Sequence, residues 1–144
     1  MSVLHVVSHS EDETMALAEK LAKSFLPGDV LVLIGPLGAG KTAFVRGLAR
    51  GLGIDPSLVN SPSYTFVNEY PGGDRKLYHF DLYRMQQSNE LYEIGWDEYL
   101  SREGIMAVEW GDKAAELLPQ KYYVLEFRIA GETERQIDIE LVQV

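Results

Sequence analysis

Residues Gly35-Pro36-Leu37-Gly38-Ala39-Gly40-Lys41-Thr42 fit G-x-x-x-x-G-K-[ST], the pattern of a phosphate-binding loop. Few short stretches constrain a chain as much, because each fixed position has a physical reason. Gly35, Gly38 and Gly40 let the backbone reach positive φ and admit a phosphate where a Cβ would collide. The turn then presents successive N–H groups to an anion at a helix N-terminus. Lys41 supplies a point charge for the β- and γ-phosphates, and the Thr42 hydroxyl is a hard oxygen ligand suited to Mg²⁺.

The flanks agree with that reading. Asp29-Val30-Leu31-Val32-Leu33-Ile34 is a short β-branched apolar run, the pattern of a parallel strand buried on both faces. After Thr42, the residues Phe44, Val45, Leu48, Ala49 and Leu52 recur at helical spacing. The expected architecture is therefore α/β: a mixed, mostly parallel sheet flanked by helices. The 144 residues suit a single domain, and an apolar fraction of 46% suffices for a real core.

Composition narrows the chemistry. With no cysteine, there is neither a disulfide nor a thiolate metal site or nucleophile. No apolar run approaches the roughly 20 residues of a membrane-spanning helix. No basic, then apolar, leader is visible, so the cytoplasm is the expected compartment. The net charge is −9, from 22 acidic and 13 basic residues without a basic run. Nucleic acid binding usually rests on a basic face, so this chain is not expected to hold nucleic acid unaided.

Along the chain, residues 2–7 read as a strand, and Ser10 and Glu13 have capping-box spacing before a helical face of Thr14, Leu17, Ala18, Leu21, Ala22 and Phe25. Residues 54–63 read as a loop. Tyr64–Tyr70 and Arg75–Phe80 read as strands around a turn at 71–74. Ser88 is the expected cap of a helix carrying Leu91, Ile94, Tyr99 and Leu100, with an interruption at Gly95. Ile105–Val108 is a further strand and Asp112–Leu118 a short helix. Tyr122–Ile129 and Gln136–Val142 alternate as a C-terminal antiparallel strand pair.

Phosphoryl chemistry also needs a metal ligand and a group that places the attacking oxygen. Ligands in open α/β sheets bind beyond the C-terminal strand ends. The strand at 105–108 ends in Glu109 and the strand at 75–80 in Asp81, so both are candidate catalytic and metal-side residues. Asp81 reaches the site only if its strand points the same way. His79 reads as structural with a catalytic role as the alternative, Trp96 and Trp110 as packing or interface residues, and Ser61-Pro62-Ser63 as either a γ-phosphate sensor or an ordinary loop.

Together with Ser61-Pro62-Ser63-Tyr64-Thr65-Phe66, Asn68-Glu69-Tyr70, His79-Phe80-Asp81-Leu82-Tyr83-Arg84, Glu90 to Gly95 and Glu109-Trp110, the loop resembles a known family. This is TsaE (also called YjeE), the small bacterial ATPase of threonylcarbamoyladenosine biosynthesis on tRNA. The resemblance covers nearly the whole chain. It implies a P-loop NTPase-like fold, ATP with Mg²⁺ as cofactors, and TsaD and TsaB as partners that transfer threonylcarbamoyl to the adenosine next to the anticodon. It implies that Gly35–Thr42 and the adjoining Ala43 bind phosphates, with Lys41 central. Thr42 and Glu109 resemble the Mg²⁺-side ligands, and Asp81 a second essential acid placing metal or water. Thr14 and Arg135 match residues that meet the nucleotide, and Ser61, Pro62, Ser63, Tyr64 and Thr65 match a switch loop. Pro36 stands where the family often has Asp, and Ser63 where it more often has Thr. Two other functions suit the same loop: a small-molecule kinase and a nonenzymatic ATP-gated interaction module.

Overall fold

A computed structural model describes residues 3–62, 64–71 and 75–144. Ser2 of the expected first strand, Ser63 of the expected switch loop and residues 72–74 of the expected turn lie outside them. The sheet has seven strands: β1 (Val3–Ser8), β2 (Val30–Ile34), β3 (Val67–Tyr70), β4 (Lys76–Asp81), β5 (Gly104–Glu109), β6 (Lys121–Ile129) and β7 (Arg135–Gln143). Their spatial order is β1-β7-β6-β2-β5-β4-β3. The inner strands β6, β2, β5 and β4 run parallel to one another. β7 is antiparallel to both β6 and β1, and β3 is antiparallel to β4. The expected mixed sheet with a C-terminal antiparallel pair is the observed one.

The inner strands explain the apolar runs. β2 and β5 are buried almost throughout because helices cover both faces. On one face Leu31, Leu33, Leu77, Ile105, Ala107 and Leu125 pack beneath Phe44 and Leu48. On the other, Val32, Tyr78, Phe80, Met106 and Val108 pack beneath Leu91, Trp96 and Tyr99. Phe80 meets Trp96 and Tyr99 edge-on at 5.1 and 5.2 Å, and the Trp96 indole N–H donates to the Leu117 carbonyl at 3.0 Å. Trp96 is thus the packing residue its sequence context suggests.

Two helices hold the first face. α1 (Glu11–Ala22) begins where the Ser10 hydroxyl accepts from the Glu13 N–H at 3.0 Å. Glu13 reciprocates one residue upstream, accepting from the His9 N–H. α2 (Lys41–Gly51) starts at Gly40, whose φ of 100° a side chain would resist. α1 crosses α2 at Gly47 and Gly51, where a Cβ would stand 2.2 Å from the Met15 carbonyl oxygen and 2.6 Å from Ala22 Cβ. This close approach sets the start of α1 beside the start of α2.

Three local expectations need correction. β3 begins at Val67, not Tyr64, because Phe66 adopts φ 70° and its N–H closes a turn onto the Pro62 carbonyl at 2.8 Å. The helical stretch after Ser88 is interrupted at Gly95 (φ 89°) as expected, giving α3 (Asn89–Glu93) and α4 (Trp96–Ser101), but its expected cap is absent. Ser88 makes no side-chain cap; the Glu90 and Leu91 N–H groups donate to the Gln87 and Ser88 carbonyls, and the Glu90 carboxylate accepts from the preceding Gln86 and Gln87 N–H groups. Residues Gly111–Leu117 form 3-10 turns with a kink at Ala114, rather than a regular helix.

Candidate nucleotide-binding site

The parallel register brings the carboxylates together. β2 leads into the loop at 35–40, while β4 and β5 end side by side with Asp81 opposite Glu109. The condition set for Asp81 is met: its strand runs the same way as β5 and ends at the same sheet edge. A cleft of about 620 Å³ opens here, running from Asp81, Glu109 and Trp110 across the loop to Thr14 and the β6–β7 turn.

The loop has the predicted backbone. Gly35, Gly38 and Gly40 take φ of 156°, 79° and 100°. At Gly35 a Cβ would lie 2.6 Å from the Phe127 carbonyl oxygen, so the β2 end can approach β6 only without a side chain. The Pro36 carbonyl accepts from the Ala39 N–H at 3.2 Å, closing the turn. Ala39 and Ala43 are buried beneath the loop and Leu37 is exposed at its rim.

Lys41 is buried. Its ammonium donates to the Gly35 and Pro36 carbonyls and sits 3.6 Å from the centre of the Trp110 ring. Burial pushes its pKa below the usual lysine value, opposed by the carboxylates of Glu109, Asp81 and Asp112. The Thr42 hydroxyl lies 3.1 and 3.0 Å from the two Glu109 carboxylate oxygens. One of those oxygens is 2.6 Å from His79 Nε2. The Asp81 carboxylate accepts from the Ser61 hydroxyl and, at 3.0 Å, from the Tyr83 N–H. Ser61 thus ties the candidate switch loop to the second acid. Among the described residues, no three His, Asp or Glu side chains converge as a ready metal cage. Mg²⁺ characteristically takes one or two protein oxygens and completes its shell with water and phosphate, so the Thr42 and Glu109 oxygens fit it.

The remaining candidates are placed differently. Thr14 lines the cleft, but its hydroxyl meets the Ser8 hydroxyl at 2.7 Å and the Ser10 carbonyl at 3.3 Å; its methyl faces Gly40. Arg135 also lines the cleft, yet its guanidinium donates to the carbonyls of Gly38, Gly131, Glu132 and Glu134. It fastens the β6–β7 turn to the loop. Pro62 is buried, while Tyr64 and Thr65 are exposed.

Three further side chains surround these groups. Trp110, expected to pack, turns its ring over Lys41 through a left-handed backbone (φ 58°) and leans on Tyr83 at 5.1 Å. Arg84 lines the cleft with its guanidinium stacked on Tyr64 and donating to the Tyr64 hydroxyl at 3.0 Å. His79, read as structural, touches Glu109. The signal for all three was adjacency to the strand-end acids.

The geometry matches known proteins. The family described as "Threonylcarbamoyl adenosine biosynthesis protein TsaE" matches residues 8–137. A Bacillus subtilis (strain 168) protein named "tRNA threonylcarbamoyladenosine biosynthesis protein TsaE" is 46% identical over 126 residues, covering 88% of this chain and 78% of its own. An Aquifex aeolicus protein of the same name is 40% identical over 137 residues, 93% of each chain. The crystal structure of Bacillus subtilis YdiB superimposes with a TM-score of 0.81 at 38% identity, covering 99% of this chain and 87% of that one. The chain belongs to the TsaE family.

Proposed function

We propose that this protein binds ATP and hydrolyses it with Mg²⁺, as an accessory component of threonylcarbamoyladenosine biosynthesis on tRNA. It acts with TsaD and TsaB in the cytoplasm, and those partners hold the tRNA. The observation that carries this reading is the convergence of Lys41, Thr42, Glu109 and Asp81 at the C-terminal ends of adjacent parallel strands, beside a loop with three positive-φ glycines. The family's name supplies the pathway, and the acidic charge fits a subunit that leaves nucleic acid to others.

The chain's own residues divide the work. The N–H groups at the start of α2 bind the phosphates, where the helix dipole favours negative charge. Lys41 exchanges the Gly35 and Pro36 carbonyls for phosphate oxygens, and its burial strengthens that attraction. Thr42 and Glu109 hold the metal side, and Mg²⁺, when bound, neutralises charge on the β- and γ-phosphate oxygens. Asp81, held by Ser61 and the Tyr83 N–H, orients the attacking water. Arg84 stands at the cleft edge stacked on the exposed Tyr64, where its guanidinium can supply positive charge on the γ-phosphate side.

The test is radiolabelled ATP turnover, alone and with TsaB, TsaD and tRNA, for wild type, Lys41→Ala and Glu109→Ala. Slow turnover that rises with the partners and falls more than about tenfold in each variant is expected. Wild-type turnover in a folded Glu109→Ala protein refutes the metal-side role. Turnover indifferent to TsaB, TsaD and tRNA refutes the pathway reading.

A further inference from the structure

His79 is fully buried in β4, between Leu77 and Asp81 on the face that carries the phosphate loop. Its Nε2 lies 2.6 Å from the Glu109 carboxylate. Its other nitrogen, Nδ1, is the one buried side-chain polar atom among the described residues without a hydrogen-bond partner. The neighbouring Tyr70 hydroxyl does not partner it. The Tyr70 ring is 6.4 Å away by centroid, and its hydroxyl is engaged with the Asn60 backbone and the Asn68 amide.

An unpartnered buried polar atom is destabilising, and an apolar residue at this position would remove it. What the imidazole contributes is its other end. The tautomer with the proton on Nε2 donates to Glu109 and leaves Nδ1 a bare lone pair, which is easier to bury than an unpaired N–H. Glu109 is then gripped between two donors, Thr42 on one side and His79 on the other. A glutamate has three side-chain torsions; two opposed contacts hold it in one rotamer before any ligand arrives.

We infer that His79 is a positioning residue for the metal-side carboxylate: its Nε2–H holds Glu109 in the orientation that faces Thr42. The inference rests on the Mg²⁺–ATP reading above. Groups that orient a ligating carboxylate characteristically change metal affinity by about 10- to 100-fold when removed.

The experiment measures Mn²⁺ binding by electron paramagnetic resonance, with a nonhydrolysable ATP analogue, for wild type, His79→Leu, His79→Asn and His79→Gln. A glutamine amide nitrogen can stand where Nε2 stands; an asparagine nitrogen stands nearer Nδ1. His79→Leu and His79→Asn should each raise the half-saturating Mn²⁺ concentration about tenfold, and His79→Gln should restore it to within about threefold of wild type. Long-range ¹⁵N–¹H spectra of the wild type should place the proton on Nε2. If the leucine variant does not fold, the comparison of Asn with Gln, both polar, decides. Equal effects of Asn and Gln, wild-type binding in folded His79→Leu, or a proton on Nδ1 overturns the inference alone. A wild type that binds no Mn²⁺ with the analogue overturns the Mg²⁺–ATP reading and this inference together.

Discussion

Gly47→Ala sets two opposed effects against each other. Alanine is the better helix former, and in mid-helix the exchange stabilises by about 0.5–1 kcal/mol. The new methyl, however, would lie 2.2 Å from the Met15 carbonyl oxygen and 2.7 Å from Ala18 Cβ. The oxygen is backbone, so no rotamer change relieves it. α1 must retreat by on the order of 1 Å, and overpacking of this kind costs about 1–3 kcal/mol. With the obstacle rigid the upper end applies, and the net is a loss of about 2 kcal/mol. At about 2.1 cal/mol/K per residue, the unfolding entropy of 144 residues is near 0.3 kcal/mol/K, so Tm should fall by about 7 °C. α1 also carries Thr14 to the cleft, so nucleotide affinity should fall with stability. Differential scanning calorimetry and an ADP titration check both. Gly131→Ala, where the nearest atom is 3.6 Å away, is the control and should leave Tm within about 2 °C. A Gly47→Ala protein as stable as wild type, or more so, would show that helix propensity outweighs the close crossing and refute the reasoning.

Other expectations concern charge and the hairpin. The Tyr99 hydroxyl is pushed up to about 12, first by burial and then by its 2.7 Å hydrogen bond to Glu69. A raised tyrosine contributes stability that is complete below the unfolded value of about 10 and is lost as pH rises toward 12. Urea midpoints should therefore fall more steeply between pH 10 and 12 in wild type than in Tyr99→Phe; parallel slopes would refute the assignment. Arg135→Ala frees the turn carbonyls and Gly38, and should weaken ATP binding several-fold while lowering stability by about 1 kcal/mol. Calorimetric titration checks it, and unchanged affinity would mean that the clamp does not shape the loop.

The loop, its strand and its helix were legible because their determinants are local. Three glycines at fixed spacing, a β-branched run and a helical apolar face each act within a few residues. Glu109 and Asp81 were legible by one further step, since a strand end is where a parallel sheet exposes its functional groups. The pairing of β6 with β2 was not, because alternation in 122–129 names a strand without naming its neighbour. Trp110 was missed since nothing local announces a left-handed tryptophan; the surrounding site holds it there. Phe66 likewise delays the start of β3 to Val67 against a good strand pattern. Ser88 has the right chemistry for a cap, but the Glu90 and Leu91 N–H groups it would serve already donate to the Gln87 and Ser88 carbonyls. Arg135 lay in the right place, and only its geometry shows that carbonyls occupy its donors.

The strand order carries a consequence for how the site comes into being. β2 is bonded on one side to β5 and on the other to β6; β6 is closed by β7, which pairs with β1. Contacts of such long sequence separation require large loops to close first, which slows folding. The loop at 35–42 turns by local bonds but is seated only against distant residues: Gly35 packs on Phe127, and Thr42 meets Glu109. The capacity to bind nucleotide should accordingly emerge late in refolding, after most secondary structure has formed. A nucleotide bound at the finished loop would then stabilise strands from both ends of the sequence at once.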